Sequence, residues 1–482
     1  MSSFRVVALA VVLAAVVAIF VVTTRGSRPG QRVSVIVSGG TVVTMDEAGT
    51  VIADGAVAID GETIVAVGTR DDVTGRYAAA RTIDARGQIV LPGLINTHTH
   101  APMVLYRGLA DDLALMDWLN QYIFPAEKAT VSPEFVRVGT RLAALEMIES
   151  GTTTFADMYY FEDDIAEVTR AAGLRAVLGQ SVIRFPVADA ATPELALERA
   201  EAFITKWKGD HLITPAVAPH APYTLEGTTL QAARALANKH GVPLLIHLAE
   251  TKDEIAIIQS AHRTTPTRYL ENLGVWNGRS LAAHAVWLDD ADMDVIKRRG
   301  VGLAHNPESN MKLASGVAKV PEWLTRGLRA GLGTDGAASN NDLDMFEAMR
   351  TAALLHKLST SDPRVLPARQ ALELATRRGA DALGLADKIG SLAAGKQADL
   401  ITVAVDGARQ TPMFDAVSHL VYVSRGDDVR TTIVAGRILM EDRRVASLRT
   451  NDVLMDARAM ADRVRAAVKP AAPAGTGAPS AK

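Results

Sequence analysis

Six of the 11 histidines of this chain, and two of its aspartates, stand where short apolar runs end. His98 and His100 form a His-Thr-His pair, His220, His247, His284 and His305 close later runs, and Asp157 and Asp335 close two more. Alternate side chains of a strand point to one face, so His98 and His100 can offer two nitrogens to a single ion. His247 adds a third nitrogen and Asp335 a carboxylate oxygen. Three His and one Asp leave a position open for water, the pattern of a catalytic rather than a sealed structural metal site. Glu250, three residues beyond His247, leaves its strand and can swing over the ion without ligating it. His284 is placed to hydrogen-bond the activated water or a developing oxyanion. A binuclear centre would want a bridging carboxylate, often a modified lysine, near the end of the fourth run. Ala218-Pro-His220 stands there instead, which points to one divalent ion. Any one of these histidines alone would read as an ordinary hydrogen-bonded residue; their joint placement is what points to chemistry.

Such groups must be brought to one place, and the elements between them show how. Eight strand-like runs are legible: Ile89 to His98, Thr152 to Asp157, Arg175 to Gly179, Ile213 to His220, Pro243 to His247, Leu281 to His284, Gly302 to His305 and Gly331 to Asp335. Helical patterns separate them, among them Ser132 to Glu149, Pro193 to Trp207, Thr228 to His240 and Pro321 to Ala330. This alternation fits an open doubly wound sheet as well as a closed ring. The polar residues at successive strand ends favour the ring, because a barrel gathers all carboxyl ends on one face. The expected fold class is therefore α/β, a metal-dependent (β/α)8 barrel over residues 89–388. Short β-rich runs on both sides of it, within 32–88 and 389–445, predict a small β-sandwich domain assembled from both flanking segments. Residues 446–468 read as a C-terminal helical segment.

Composition narrows the function classes. The chain has 482 residues, 48% of them hydrophobic and 22% charged, the balance of a large globular protein. A net charge of −3 gives no footprint for nucleic acid. With no cysteine, disulfides, thiolate metal sites, iron–sulfur clusters and cysteine nucleophiles are all excluded. At the amino end, an uncharged run from Val6 to Val22 lies between Arg5 and Arg25. It is long enough to span a bilayer and lacks a clear cleavage site, so residues 1–31 predict a membrane anchor or export segment. Residues 469–482, dominated by Pro, Ala, Gly and Ser, read as a disordered tail. The expected partners are a small heterocyclic substrate and a membrane through the N-terminal segment only; nucleic acid is not among them, and a homo-oligomer is left open.

Taken together, Gly93-Leu-Ile-Asn-Thr-His-Thr-His-Ala-Pro-Met103, Ala218-Pro-His-Ala-Pro-Tyr223, His247-Leu-Ala-Glu250, His284, His305-Asn-Pro-Glu-Ser-Asn310 and Gly333-Thr-Asp-Gly-Ala-Ala-Ser-Asn-Asn341 resemble the amidohydrolase superfamily. The chain is most similar to the branch of 5-methylthioadenosine/S-adenosylhomocysteine deaminases and chlorohydrolase-like enzymes. The resemblance implies one Zn2+ or Fe2+ on His98, His100, His247 and Asp335. It further implies that Asp335 takes the water proton, Glu250 protonates a ring nitrogen and His284 orients the attacking oxygen. Trp118, Glu127 and His220 match positions that contact a nucleoside, Glu127 by accepting from ribose hydroxyls. Where relatives often carry arginine after the third strand, this chain has Gln180, with Arg184 a turn further on as a substitute. The implied activity is release of ammonia from an adenine nucleoside. Hydrolysis of another amino- or chloro-substituted N-heterocycle, of triazine, pterin or guanine type, is the enzymatic alternative, and a membrane-tethered metal-binding scaffold the non-enzymatic one.

Overall fold

The computed structural model describes residues 30–468. In chain order, strands β1 (Gln31–Val43), β2 (Val51–Asp60), β3 (Thr63–Thr69), β4 (Tyr77–Asp84) and β5 (Gln88–Pro92) come first. Eight strands of a second sheet follow: β6 (Leu94–Thr99), β7 (Thr152–Tyr159), β8 (Arg175–Val182), β9 (Ile213–Pro219), β10 (Leu244–Leu248), β11 (Ser280–His284), β12 (Gly302–His305) and β13 (Arg329–Leu332). The chain then returns to the first sheet with β14 (Leu400–Ala404), β15 (Val429–Val434), β16 (Arg437–Glu441) and β17 (Arg444–Val445).

Strands β6 to β13 lie side by side in sequence order, every neighbouring pair parallel. The seam between β6 and β13 is bridged by Thr97 Oγ1 donating to the Leu332 carbonyl at 2.8 Å and by the Asp335 amide donating to the His98 carbonyl at 2.9 Å. The expected (β/α)8 barrel is thus what the chain forms. Alternate residues fill its interior, mostly small ones: Ala156, Ala216, Ala218, Ala283 and Ala304 pack with Ile95, Val177, Leu245 and Leu281. The opposite faces of the strands meet the helices. Those helices start where the sequence says they should: Ser132 and Thr192 cap Pro133–Ser150 and Pro193–Trp207, each accepting a backbone N–H, with proline in the first turn.

Strands from both ends of the described chain form one nine-stranded mixed sheet, ordered β17-β16-β15-β14-β5-β1-β2-β3 with β4 also paired to β1. Its core joins residues from both halves, with Val37, Val57, Ile64 and Ile83 packed against Leu400 and Ile433. β1 runs unbroken through Gly39-Gly40, absorbing those residues as an irregularity in the pairing with β2. Barrel and sheet are clamped by a buried ion pair. Arg175 Nε donates to Asp399 Oδ2 at 2.8 Å, and Arg175 also donates to the His211 carbonyl at 2.8 Å. These side chains are only 5% and 2% exposed. Removing one partner strands the other charge away from water, so Asp399→Ala is expected to cost about 3–5 kcal/mol in urea unfolding. A loss below about 1 kcal/mol would show that water or the Gln397 amide replaces the carboxylate.

Three sequence expectations need correction. The run Ile89 to His98 is two strands. β5 belongs to the mixed sheet and β6 to the barrel, with Gly93 between them, where a Cβ would stand 2.0 Å from Thr153 Oγ1. The last barrel strand is Arg329–Leu332 rather than Gly331 to Asp335, because the preceding helix already ends at Arg326 and is capped by Gly327. The expectation of a membrane-anchored or exported protein is not upheld: among the described residues no helix is long and apolar enough to cross a membrane. The run Val6 to Val22 lies outside the described residues, as does the tail 469–482.

Candidate active site

The carboxyl ends of the barrel strands bring His98, His100, His247, His284, Glu250 and Asp335 together. Ile95 faces the barrel interior, so unbroken alternation would turn Thr97 and Thr99 to the mouth. The β6–β7 register instead slips between Asn96 and Thr99, and His98 and His100 take that place. Asn96 fixes the slip by accepting from the His98 and Thr334 amides at 3.3 and 3.1 Å. Asp335, beyond β13, has φ 65°, and His284, at the end of β11, has φ 70°. Both lie in the left-handed region that non-glycine residues avoid, a cost that concentrates at functional sites. At Gly333 a Cβ would meet Asn306 Oδ1 at 2.4 Å, so only glycine lets the chain pass close enough to place Asp335.

The donor atoms converge as a metal requires. His98 Nε2 and His100 Nε2 each lie 3.4 Å from Asp335 Oδ1, and His100 Nε2 lies 3.3 Å from His247 Nε2. His100 Nδ1 sits 2.7 Å from the Met158 carbonyl and His247 Nδ1 2.7 Å from the His220 carbonyl. A carbonyl only accepts, so both Nδ1 atoms carry hydrogen and both Nε2 atoms present lone pairs to each other. His98 Nε2 is buried with no hydrogen-bond partner. Such a convergence of acceptors fits a cation at their centre. Burial lowers His98 to about 4 and pushes His100 and His247 below the ordinary imidazole value, which keeps them in the neutral form that ligates.

The acids and the remaining histidine are set apart by environment. Burial alone would raise Asp335, but the imidazoles of His98, His284 and His100 hold it well below the usual carboxylate range. Ser309 Oγ donates to its Oδ2 at 2.7 Å. Glu250 is raised, chiefly by burial. Burial opposes a charge on His284, yet the carboxylates of Glu250 and Asp335, at 3.8 and 3.9 Å from its Nε2, carry it above the ordinary value. Its Nδ1 lies 2.9 Å from Asn310 Oδ1. Two carboxyl groups pushed in opposite directions over one donor set have the chemistry to serve as a general acid and a general base.

A cavity opens over these groups, lined also by Trp118, Glu127, His220, Tyr223, Phe124 and Ser181. Glu127 accepts from the Tyr159 and Tyr160 hydroxyls at 2.8 and 3.4 Å and is raised to about 7 by burial. His220 is lowered to about 3 by burial and by the imidazoles around it. Two of the expected substrate contacts do not reach this cavity. Gln180 spends its amide on Asp189 Oδ2 at 2.8 Å, because β8 turns Ser181 to the cavity and Gln180 away. Arg184 is exposed and lines no wall of the cavity. His305 also points outward, its Nε2 3.1 Å from His356 Nε2; Ala304, not His305, holds the inward position on β12.

Sequence reading missed five positioning groups. Ser309 and Asn310 lie in a motif already singled out, without a role. Tyr159 ends, and Tyr160 follows, a strand that was closed too early at Asp157. Glu254 accepts the amides of Ala249 and Glu250 at 2.8 and 3.0 Å and so holds the turn that carries Glu250. The signal was present, since Thr251 and Glu254 have capping-box spacing and Thr251 caps the helix Lys252–His262.

These features are shared with known proteins. The "Amidohydrolase family" model matches residues 89–439, and an "Imidazolonepropionase-like composite domain, bacteria" model matches 55–80. A 5-methylthioadenosine/S-adenosylhomocysteine deaminase of Syntrophobacter fumaroxidans is 46% identical over 435 residues, covering 90% of this chain and 99% of that protein. A 5′-deoxyadenosine deaminase of Methanosarcina mazei is 45% identical over 436 residues, covering 90% and 99%. The crystal structure of an adenosine deaminase from Xanthomonas campestris with bound zinc has TM-score 0.89 and 39% identity, covering 91% of this chain and all of that one. With the barrel, the donor set and these similarities in agreement, the chain belongs to the amidohydrolase family.

Proposed function

We propose that this chain is a zinc-dependent hydrolytic deaminase of adenine nucleosides. One observation carries the reading: a single cavity joins the donor set, with Glu250 and His284 beside it, to a second buried carboxylate, Glu127, that can accept sugar hydroxyls. The adenine-nucleoside names of the similar proteins support it.

His98, His100, His247 and Asp335 would hold the ion. When bound, a divalent cation supplies Lewis acidity that lowers the pKa of a water from 15.7 to about 7. Asp335, ionised and steadied by Ser309, takes the proton from the attacking water. Glu250, holding its own proton through burial, delivers it to the ring nitrogen next to the carbon under attack. The ring can then accept charge as that carbon becomes tetrahedral. His284 donates from Nε2 to the incoming oxygen, and Asn310 at Nδ1 fixes the ring's orientation. Asp335 passes its proton to the amine, which leaves as ammonia while the added hydroxyl gives its remaining proton back to Glu250 and becomes the ring carbonyl. Trp118 supplies an apolar wall for the base, and Glu127 accepts from the sugar. Purified, zinc-loaded protein should release ammonia from an adenine nucleoside panel; no release with stoichiometric zinc bound would refute the proposal.

Glu127 makes a separate, pH-dependent prediction. Its folded-state value, about 7, lies above the ordinary 4.5. Its contribution to stability is therefore full below 4.5 and is lost as pH rises towards 7, where a charge must be buried. Glu127→Gln removes that cost and is expected to raise unfolding free energy at pH 8 by on the order of 2–3 kcal/mol. The same substitution should raise KM for nucleosides. Equal stability of the two proteins at pH 8 would count against the burial account.

A further inference from the structure

The cavity wall that carries Trp118 and Glu127 is one continuous helical stretch, but it is not regular. Leu115–Trp118 and Phe124–Thr130 are α-helical, and Leu119–Ile123 between them is a π-helical turn. Its signature bond reaches back five residues instead of four, the Phe124 amide donating to the Leu119 carbonyl. The turn therefore holds one residue more than an α-helical turn, a rare arrangement that gathers at functional sites.

Trp118 and Glu127 are nine positions apart, which at 3.6 residues per turn is about two and a half turns of regular helix. They would then point to opposite sides. With one residue taken up by the wide turn, the two side chains come within roughly a quarter turn of each other. Both indeed line the catalytic cavity, together with Leu115, Ile123 and Phe124, while Asn120 and Gln121 in the bulge are exposed.

Pro125 gives a physical reason for the width. Inside a regular helix a proline has no N–H for the carbonyl four residues back and crowds it with its ring. That carbonyl belongs to Gln121, within the π turn, where the wider backbone relieves the crowding. Asn120 Nδ2 donates to the Met116 carbonyl and Gln121 Nε2 to Asp117 Oδ1, at 2.8 and 2.9 Å, bracing the turn from outside. The second half of the stretch is the fixed one. Glu127 is buried and held by the Tyr159 and Tyr160 hydroxyls, whereas Leu115 follows a loop in which Asp111, Asp112 and Ala114 are exposed. A change of length in the turn thus swings Trp118 and leaves Glu127 in place.

We infer that the π turn Leu119–Ile123 is a positioning element for substrate: it sets the angle between Trp118 and Glu127, so that one wall addresses base and sugar together. The inference rests on the adenine-nucleoside reading, because that ligand needs both contacts. Taking a residue out of the turn should then be harmless, and adding one should not.

Deletion of Gln121, combined with Pro125→Ala so that a regular helix can form, keeps Trp118 and Glu127 on one face. KM of the zinc-loaded full chain for adenosine, measured by ammonia release, is expected to stay within about threefold of the unaltered protein. An alanine inserted between Gln121 and Tyr122 turns Trp118 out of the cavity by about 100°. KM should rise about tenfold or more, with kcat and zinc content within about threefold. In a Trp118→Ala background the same insertion should add less than about twofold, because the side chain it displaces is already gone. A deletion as damaging as the insertion, an insertion that leaves KM unchanged, or one whose effect is undiminished in Trp118→Ala would overturn the inference and leave the deaminase reading standing. Circular dichroism identifies the folded variants, and either the deletion or the insertion decides the matter if the other does not fold. Silence of the unaltered, zinc-loaded chain with every adenine nucleoside would remove that reading and the inference with it.

Discussion

Glu250→Gln is expected to keep its full complement of metal and to lose about 10²- to 10⁴-fold in kcat, the range of a positioned general acid. The amide has the shape of the acid but no proton to give. Its position should be preserved, because Glu254 holds the amides of residues 249 and 250 rather than the side chain. KM should change little, since the lost interaction is made only as the ring nitrogen gains charge. Metal content per chain and steady-state kinetics on the same preparation check this. Turnover within threefold of wild type would remove Glu250 from the chemistry, and loss of metal would make it a ligand.

The second large effect is loss of the ion itself in His98→Ala. Its Nε2 is the buried, unpartnered nitrogen at the centre of the donor set, and the remaining ligands leave an incomplete site. Metal analysis should find less than about a tenth of an equivalent after dialysis, and activity should vanish with it. The wild-type site should also respond to acid. Burial holds His98 near 4 against an ordinary 6.5, so the metal-free fold has this contribution in full above 6.5 and loses it as pH falls towards 4. Protons compete with the ion for the same lone pairs, and because burial holds these imidazoles below their ordinary value, metal release should grow only as pH falls towards about 4. Full zinc retention by His98→Ala, or half-release of zinc already near pH 6.5, would show that the donor set is misassigned.

What was legible in advance follows from how each feature is encoded. The barrel and the metal donors are local facts repeated along the chain: an apolar run, a polar residue at its end, a capped helix. Strand parity is less local. His305 ends its strand as clearly as His247 does, yet Ala304 takes the inward position, and only the packed barrel settles which face is which. The same limit hid the role of Gln180, whose partner Asp189 lies on a loop that sequence reading left without structure. The boundary at Gly93 was invisible because the apolar run continues across it, from Ile89-Val-Leu-Pro92 into Leu94-Ile95, although β5 hydrogen-bonds to β1 and β14 and β6 to β7.

The strand order of the mixed sheet also fixes a timetable. β5 is flanked by β1 and β14, so one of its edges must wait, during synthesis on the ribosome, until the chain has been made as far as residue 404. The barrel strand that carries His98 and His100 continues directly from that waiting edge. A nascent chain therefore exposes an open apolar strand just ahead of the first barrel strand for most of its translation, the situation in which strand edges recruit other chains. Premature termination before β14 would leave it so permanently, and the ribosome-bound intermediate is the species that most needs a chaperone's protection.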